Sequence, residues 1–441
     1  MPTLRARWVL PIGRPAIENG EVVVAGHVIA EVRPARSGPC DLDLGDAVLM
    51  PGLVNAHTHL EYTALRGFTE DLPFFEWIRS VVQHKTHFDE KAWRVSAQLG
   101  ALECLAGGIT TVADNTDAGV TMEVLAASGL RGVVYQEVFG IDQREPVDGI
   151  LGALKTKIDA HRRLASDRVV VGISPHALYT VRPELFDALI PYAREQGLPI
   201  SIHVAESEAE TMLTEEGAGP FADMFRARGI QWTTPEVSPT QYLADQGALT
   251  RMTLAVHCVQ QSSGDIANLA RSGAAIVYCP KSNAKLGSGV APLPQWLATP
   301  GLRIALGTDS ALSNNTLDMF EEMRFGLLAQ RSSRKHATAP TARQMVELAT
   351  LGGARALGLE HRVGTLAPGR EADLIAVDMS RAHTTPATEP YGALVFAARA
   401  GDVRLTMIGG RVVYRDGHWS TLDAPGILDA ARTGFKPAGQ G

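Results

Sequence analysis

Three histidines and one aspartate of this 441-residue chain stand where apolar runs end. His57 and His59 lie one residue apart at the end of the first such run, whereas His203 and Asp309 close two later ones. Alternate side chains of a strand point to one face, so the paired histidines should look the same way. Imidazole and carboxylate suit a divalent transition metal, and a site with an open position suits catalytic zinc. We therefore predict a metal centre formed by these four residues.

Glu206 is the candidate proton carrier, because it follows His203 by three residues. A carboxylate beside a metal ligand can take a proton from the attacking water and return it to the substrate, as hydrolysis requires. The alternative is an acid that stabilises a helix N-terminus, since further glutamates follow. His176 and His257 also end apolar runs, and each could orient or polarise the reacting group or support it from behind.

These residues converge only if the chain folds so that its strand ends meet. Apolar runs alternate with helical patterns, of which residues 92–106, 184–196 and 266–272 are examples. Buried parallel strands read as continuous apolar runs, and eight of them alternating with helices predict a (β/α)8 barrel. The carboxyl ends of its strands share one mouth, where active sites lie. The predicted strands are residues 49–60, 109–115, 132–139, 169–177, 198–206, 252–259, 274–283 and 303–310.

Both chain ends differ from the predicted barrel. Residues 21–32 near the start and 403–414 near the end are short β-like pieces separated by turns. Two β-rich ends that flank one barrel can pair into a single small sandwich. The sequence thus predicts an α/β protein with a barrel domain at 51–359 and a composite β-sandwich domain formed by residues 1–50 and 360–441.

Composition argues against several kinds of partner. The net charge is −7 and no Lys/Arg run is present, which disfavours nucleic acid and anionic membranes as ligands. No apolar stretch reaches the roughly 18 residues of a membrane span, and Pro11 interrupts the start before a signal-peptide core can form. The four cysteines lie far apart in the sequence and form no C-x-x-C pair. This spacing fits reduced thiols better than a disulfide framework. We expect a cytoplasmic protein with a small-molecule substrate, and a homodimer is one option for its assembly.

The motifs around these residues together resemble the metal-dependent amidohydrolase superfamily, in its cytosine-deaminase and chlorohydrolase-like branch. The resemblance extends over essentially the whole chain, since residues 364–374 and 409–412 look like the β-sandwich of that family. Its marks in the barrel are Pro51-Gly52-Leu53-Val54-Asn55-Ala56-His57-Thr58-His59, Ser174-Pro175-His176, His203-Val204-Ala205-Glu206, Val256-His257-Cys258, Cys279-Pro280-Lys281-Ser282-Asn283 and Leu306-Gly307-Thr308-Asp309-Ser310.

The resemblance implies one divalent ion, zinc or iron, with zinc preferred. The ligands that it implies are His57, His59, His203 and Asp309. Binuclear members bridge two metals through a modified lysine at the end of strand four, and residues 169–176 contain no lysine. In the mononuclear deaminases, the counterpart of Glu206 shuttles protons, and those of His257 and Asp309 hold the attacking water. The implied reaction is hydrolytic loss of ammonia from an aminopurine nucleoside.

The substrate within that branch depends on smaller motifs. Deaminases of S-adenosylhomocysteine and methylthioadenosine commonly place a ribose-binding glutamate after a Trp-containing helix, and residues 77–87 contain no such acid. The sequence is more similar to the aminodeoxyfutalosine deaminases of menaquinone biosynthesis, in residues 57–61, 75–78 and 239–243. We therefore favour 6-aminodeoxyfutalosine. The alternatives are the two sulfur-containing nucleosides and a chlorohydrolase-type reaction on another heteroaromatic ring.

Four residues are expected to contact the substrate. Glu61 shares the face of the paired histidines but lies farther along, which suits a substrate contact better than a ligand. His176 and Trp77 belong to the motifs of the resemblance. A substrate that carries a benzoate needs a cation, ideally a bidentate Arg. We name Arg144 because it follows the third predicted strand; the alternative is a solvated surface Arg.

Overall fold

The computed structural model describes residues 1–435, which form two sheets. In the first sheet, eight strands lie in chain order and each runs parallel to the next. A parallel bridge between Thr58 and Asp309 joins the last strand back to the first. The predicted (β/α)8 barrel is therefore confirmed. Its strands, called first to eighth below, are Leu53–Thr58, Ile109–Thr116, Arg131–Val138, Val169–Pro175, Ile200–Val204, Thr253–His257, Ala275–Tyr278 and Arg303–Leu306.

Both chain ends contribute to the second sheet, as predicted. Its central strand, Ala47–Pro51, pairs in parallel with Thr3–Val9 and antiparallel with Leu374–Asp378. This sheet has an apolar core of its own. The division of the chain at residues 50 and 360 stays a prediction, and residues 436–441 of the predicted second domain lie outside the described residues. The strands are Thr3–Val9, Ile17–Ala25, Val28–Pro34, Leu42–Asp43, Ala47–Pro51, Leu374–Asp378, Val403–Ile408, Arg411–Arg415 and His418–Trp419.

Helices surround the barrel and cover its mouth. The three predicted helices are present, within Glu90–Ala106, Pro183–Gln196 and Ser263–Ser272. The other α-helices are Phe74–Lys85, Thr121–Ser128, Val147–Leu164, Glu208–Glu216, Gly219–Arg228, Pro239–Asp245, Pro280–Lys285, Leu293–Ala298, Ala311–Asn314, Met319–Arg334, Ala342–Glu347, Gly353–Ala356, Pro390–Gly392 and Ala424–Gly434. Short 3-10 and π turns lie at Leu60–Leu65, Leu348–Gly352, Ala393–Ala397 and Ala400–Asp402. Within residues 1–435, no helix combines the length and hydropathy of a membrane span.

Two helices meet above the carboxyl ends of the barrel strands. Phe74–Lys85 carries apolar residues at positions 74, 77, 78 and 81, the spacing of one helix face. The ring of Phe75 packs 4.8 Å from that of Phe221, which lies on the helix Gly219–Arg228. The two helices therefore cover the mouth of the barrel with apolar side chains.

Candidate active site

The four predicted metal ligands lie together at the mouth of the barrel. Ring nitrogens of His57, His59 and His203 are within 4.8 Å of one another. Oδ1 of Asp309 is 3.4 Å from Nε2 of His57 and 3.5 Å from Nε2 of His59. Within the described residues, neither nitrogen of His57 has a hydrogen-bond partner. Buried polar atoms without partners are costly, so this cluster of nitrogen and oxygen donors fits a divalent metal.

The electrostatics of the cluster also suit a metal. Burial lowers the pKa of His57, His59 and His203, which keeps the rings neutral as ligands must be. Burial alone would raise the pKa of Asp309, but contact with His57, whose Nε2 is 3.4 Å away, holds that pKa well below its usual range. Asp309 is therefore an anion beside three neutral imidazoles.

Asn55 joins the first ligand strand to the eighth strand. Its Nδ2 donates to Oγ1 of Thr308 at 2.7 Å, and its Oδ1 accepts from the backbone N of Thr308 at 3.0 Å. The backbone N of Asp309 donates to the carbonyl of His57 at 3.0 Å. This buried clamp fixes the two strand ends that carry His57 and Asp309 against each other.

Hydroxyl groups from two further segments hold the Asp309 carboxylate. Oδ2 accepts from Oγ of Ser282 at 2.6 Å and from Oγ of Ser313 at 2.8 Å. Oδ1 accepts from the backbone N of Ser310 at 2.7 Å and is also the oxygen nearest the histidines. Such outer contacts orient a metal ligand and are part of the design of a metal site.

Backbone carbonyls and hydroxyls fix the orientation of the next two histidines. Nδ1 of His203 lies 2.8 Å from the carbonyl of His176, which directs Nε2 of His203 away from that strand. Nδ1 of His176 lies 2.9 Å from Oγ1 of Thr180. Burial lowers the pKa of His176 to about 3, so this ring is neutral. His176 can therefore offer a neutral nitrogen to a substrate.

Glu206 and His257 face each other beside the cluster. Oε1 of Glu206 is 3.8 Å from Nε2 of His257, whose Nδ1 is held 2.8 Å from Oδ1 of Asn283. Burial raises the pKa of Glu206, which brings a proton-transfer role closer to neutral pH. The backbone N of Glu206 donates to Oε2 of the buried Glu210 at 3.0 Å. Glu210 thus fixes the backbone that carries the candidate proton carrier.

The chain bends sharply where these strands end. Ala205, His257 and Asp309 have φ angles of 49°, 71° and 60°, a left-handed region that non-glycine residues rarely adopt. Each such residue costs on the order of 1–3 kcal/mol, and they concentrate at functional sites. The bends turn these strand ends into the mouth of the barrel.

A cavity of about 300 Å³ opens over the cluster. His59, His203, Glu206, His257 and Asp309 line one end of it, and His176 and the predicted substrate contact Trp77 also line it. Most other lining residues are apolar, namely Phe74, Ile78, Val81, Val82, Phe139, Ile141, Phe221, Met224, Leu286 and Leu312. The cavity therefore combines a polar reaction end with a mainly aromatic and aliphatic wall.

Two predicted substrate contacts, Glu61 and Arg144, are not among the residues that line the cavity. Glu61 is fully buried, and its carboxylate accepts from Oγ1 of Thr116 at 2.6 Å and from the backbone N of Asp117 at 2.7 Å. The strand ends before Glu61 and a 3-10 turn follows, so the alternation of side chains stops. Arg144 is 83% exposed and pairs with Asp142.

Three charged residues that line the cavity were not predicted. Glu137 stands near the end of the third strand, and Lys85 ends the helix Phe74–Lys85 over the mouth. Arg228 ends Gly219–Arg228, the second helix after the fifth strand. The placement of Glu137 at a strand end was a usable signal, since the histidines were found in the same way. Charged residues at helix ends are usually solvated, so nothing distinguished Lys85 or Arg228.

The strand ends of this barrel place three histidines, an aspartate and a glutamate around one cavity. This arrangement is typical of a metal-dependent hydrolase. Residues 48–413 match the amidohydrolase family, and the chain belongs to that family. It therefore acts hydrolytically on C–N bonds and uses a divalent metal.

Individual relatives cover nearly all of the chain. The 5-methylthioadenosine/S-adenosylhomocysteine deaminase of Nitratidesulfovibrio vulgaris (strain DSM 19637 / Miyazaki F) is 36% identical, over 97% of this chain and 93% of its own. An adenosine deaminase of Xanthomonas campestris with bound zinc is 30% identical, with a TM-score of 0.85, over 98% of this chain and 96% of its own. Helicobacter pylori aminofutalosine deaminase is 22% identical, with a TM-score of 0.79, over 94% of this chain and 100% of its own, a likeness that concerns the fold alone.

Proposed function

We propose that the protein is a hydrolytic deaminase of adenosine-like nucleosides with an apolar 5′ substituent, and that its metal is zinc. The observation that carries the proposal is the pair of Glu206 and His257, 3.8 Å apart, next to the cluster of His57, His59, His203 and Asp309 in one cavity. Proton transfer to a ring nitrogen and attack on the neighbouring carbon need both elements at one place. The names of the relatives described above support the same reaction.

The residues of this chain divide the reaction between them. A divalent ion, when bound by the three histidines and Asp309, supplies a water that is nucleophilic at neutral pH. Glu206 takes a proton from the attacking water and delivers it to the ring nitrogen beside the amine-bearing carbon. His257, held by Asn283, presents Nε2 to the same water. A second proton then passes from the hydroxyl that has added to the ring carbon to the departing amine, so that the C–N bond breaks and ammonia leaves. The covering helices exclude bulk water.

The apolar wall favours 5′-methylthioadenosine as the substrate. The helix Phe74–Lys85 presents Phe74, Trp77, Ile78 and Val81 to the cavity, away from the polar end. A methylthio group is uncharged and apolar. It would therefore transfer from water to such a surface without leaving a buried polar atom unpaired. The charged tail of S-adenosylhomocysteine would need partners for both an ammonium and a carboxylate.

A second candidate is 6-aminodeoxyfutalosine, the substrate favoured by sequence motifs, whose deamination belongs to menaquinone biosynthesis. Its 5′ side carries a benzoate, and Arg228 lines the cavity as an exposed side chain. An aromatic ring against the apolar wall would bring the carboxylate toward this guanidinium, which suits bidentate contact. Arg228 takes the place that the sequence analysis gave to Arg144.

A substrate panel tests the proposal. It comprises adenosine, 5′-methylthioadenosine, S-adenosylhomocysteine, 6-aminodeoxyfutalosine and a chlorinated triazine, with ultraviolet change and release of ammonia or chloride as readouts. We expect ammonia from the nucleosides and the highest kcat/KM for 5′-methylthioadenosine. Chloride release without deamination would overturn the proposed reaction.

The same panel separates the two substrates. Arg228→Met should lower kcat/KM for 6-aminodeoxyfutalosine and leave 5′-methylthioadenosine unchanged, whereas the exposed Arg144→Met is the matched control. A wild type that prefers 6-aminodeoxyfutalosine, together with a selective loss in Arg228→Met, would replace the first substrate by the second.

A further inference from the structure

Glu322 is a fully buried carboxyl group that the proposed reaction does not use. It lies in the first turn of the helix Met319–Arg334, whose buried side chains Met319, Phe320 and Met323 belong to the main apolar core. The helix is therefore a firm support for the carboxyl group. A buried polar group is costly unless it is hydrogen-bonded, so the groups that contact its two oxygens are held in place by it.

One oxygen contacts the segment that follows the seventh strand. Oε2 of Glu322 accepts from the backbone N of Lys281 at 3.2 Å. Lys281 is in the first turn of the helix Pro280–Lys285, where the N–H groups have no acceptor within the helix. The next two residues of the same turn are Ser282 and Asn283. Glu322 thus fixes the turn that carries these two side chains.

The other oxygen contacts the segment that follows the eighth strand. Oε1 of Glu322 accepts from Nδ2 of Asn314 at 2.5 Å. The same Nδ2 donates to the carbonyl of Thr308 at 2.5 Å, so both N–H donors of the amide are used. Asn314 ends the short helix Ala311–Asn314 and follows Ser313 directly. The carboxyl group therefore fixes the turn that carries Ser313.

These two segments carry three side chains that orient the reacting groups. Oγ of Ser282 and Oγ of Ser313 both donate to Oδ2 of Asp309, at 2.6 Å and 2.8 Å. Oδ1 of Asn283 lies 2.8 Å from Nδ1 of His257. Asp309 is one of the four proposed metal ligands, and His257 presents Nε2 to the attacking water in the proposed reaction. The supports of both residues thus depend on a single buried carboxyl group.

We infer that Glu322 is a positioning residue, which holds the supports of Asp309 and His257 in one arrangement. It is not among the residues that line the cavity, so it acts through Ser282, Asn283 and Ser313 rather than on the substrate. The inference rests on the proposed function where it concerns turnover. Its effect on the metal, through Asp309, needs no substrate and is measured separately.

The contacts of Glu322 do not require that its side chain is charged. Burial raises the pKa of Glu322 to about 8. Both neighbours are N–H donors, and a carboxyl group keeps acceptor capacity in its neutral form. Glu322→Gln keeps the shape of the side chain but replaces one oxygen by an amide nitrogen, which cannot accept. Two donors then face each other at either Lys281 or Asn314, and one contact is lost.

The experiment compares Glu322→Gln with wild type and with Glu321→Gln. Glu321 is the matched control, because it is the adjacent acid and contacts the ammonium of Lys281 instead of the backbone N. The measurements are kcat and KM for 5′-methylthioadenosine with zinc in excess, and the zinc affinity of chelator-treated protein. Outer contacts of a metal site contribute roughly tenfold to a hundredfold. We expect losses of this size in kcat and in zinc affinity for Glu322→Gln alone, with KM unchanged.

A double-mutant cycle tests whether Glu322 acts through the supports. Asn283→Ala is measured alone and together with Glu322→Gln. Residues that act through one network are not additive, so the double variant should lose less kcat than the product of the two single losses. Asn314→Ser breaks only one of the two contacts of Glu322. It replaces Glu322→Gln in every comparison if the latter does not fold.

The outcomes separate positioning from a purely structural role. A lower free energy of unfolding in Glu322→Gln, with wild-type kcat and zinc affinity, would overturn the inference. Equal losses in Glu321→Gln, or losses that multiply in full with those of Asn283→Ala, would overturn it too. If wild type deaminates no nucleoside, the proposed function fails. In that case a weakened zinc affinity confined to Glu322→Gln still supports the inference, and an unchanged one overturns it.

Discussion

Oε1 of Glu206 lies 3.8 Å from Nε2 of His257, and each of these residues is fixed from behind by a separate buried partner. Glu210 accepts from the backbone N of Glu206, and Asn283 contacts Nδ1 of His257. A group that lies to one side of this pair, about 2.8 Å from each atom, can contact both side chains. Proton transfer in the proposed reaction therefore depends on this pair, and neither of its partners, Glu210 and Asn283, is one of the four proposed metal ligands.

Glu206→Gln should abolish most activity without loss of metal. Gln keeps the shape of the side chain but cannot accept and return a proton, so kcat should fall by about a hundredfold to ten-thousandfold. Steady-state kinetics and metal analysis on the same preparations provide the measurement. Glu208→Gln, two residues along and exposed, should behave as wild type. A Glu206→Gln enzyme with a near-normal kcat would remove Glu206 from the proton-transfer role.

His203→Ala should lose both metal and activity. One of the four donors disappears, which leaves two histidines and Asp309 for the metal. Chelator-treated wild type should regain activity with zinc and show a higher Tm, because a ligand that binds only the folded state stabilises it. The variant should show neither response. His361→Ala, at a side chain that is 82% exposed, is the control, and a zinc-dependent Tm shift in His203→Ala would contradict the assignment.

Gly307→Ala should destabilise the first ligand strand. A Cβ at this position would lie 2.9 Å from the backbone N of His57 and 2.9 Å from Cγ1 of Val277. Overpacking of this kind costs about 1–3 kcal/mol in the free energy of unfolding. Gly149→Ala, in the helix Val147–Leu164 with open space around it, should instead stabilise by about 0.5–1 kcal/mol. Urea unfolding measures both, and a neutral Gly307→Ala would show that the strand can shift.

His161 should make stability depend on pH. Burial and the charge of Lys157 lower its pKa to about 4, against 6.5 for an unperturbed histidine. Between these values the unfolded chain binds a proton that the fold does not, so stability is lost as the pH falls from about 6.5 to about 4. The shift corresponds to at most about 3 kcal/mol.

The comparison for His161 uses a side chain that cannot titrate. His161→Gln retains an amide that can donate to Oε1 of Gln136, the present partner at 3.0 Å. The free energy of unfolding of wild type minus that of the variant should therefore shrink between pH 7 and pH 4. His361→Gln removes an exposed ring and serves as the reference. An unchanged difference across this range would exclude His161 as the source.

The barrel was predictable because eight buried strands produce eight apolar runs. The residues at which each strand begins and ends were not predictable. The run at 49–60 joins the end of the strand Ala47–Pro51 to the strand Leu53–Thr58, and both strands are fully buried, so the pattern shows no break. Gly52 lies between the two strands and packs against Thr110. A Cβ at position 52 would lie only 2.1 Å from Oγ1 of Thr110, so there is no room for a side chain. The seventh run was predicted too long, because Pro280 begins a helix there.

The ligand cluster was predictable from strand ends, whereas its supporting contacts were not. Ser282 holds Asp309 and Asn283 holds His257, across separations of 27 and 26 residues. Asn55 and Thr308 are 253 residues apart. Small polar residues have too many common roles for their spacing to indicate a partner. Glu61 does not line the cavity for a local reason, since the turn that follows the strand ends the alternation of side chains on which its prediction depends.

The strand Ala47–Pro51 leads through Gly52 directly into the strand that carries His57. One of its two neighbours in the sheet, Leu374–Asp378, is translated more than three hundred residues later. Until then, the segment next to the metal ligands has an open hydrogen-bonding edge, which favours association with other chains. Proteins truncated before residue 374 should therefore aggregate rather than form an isolated barrel, and correct assembly of the metal centre depends on synthesis of the C-terminal strands.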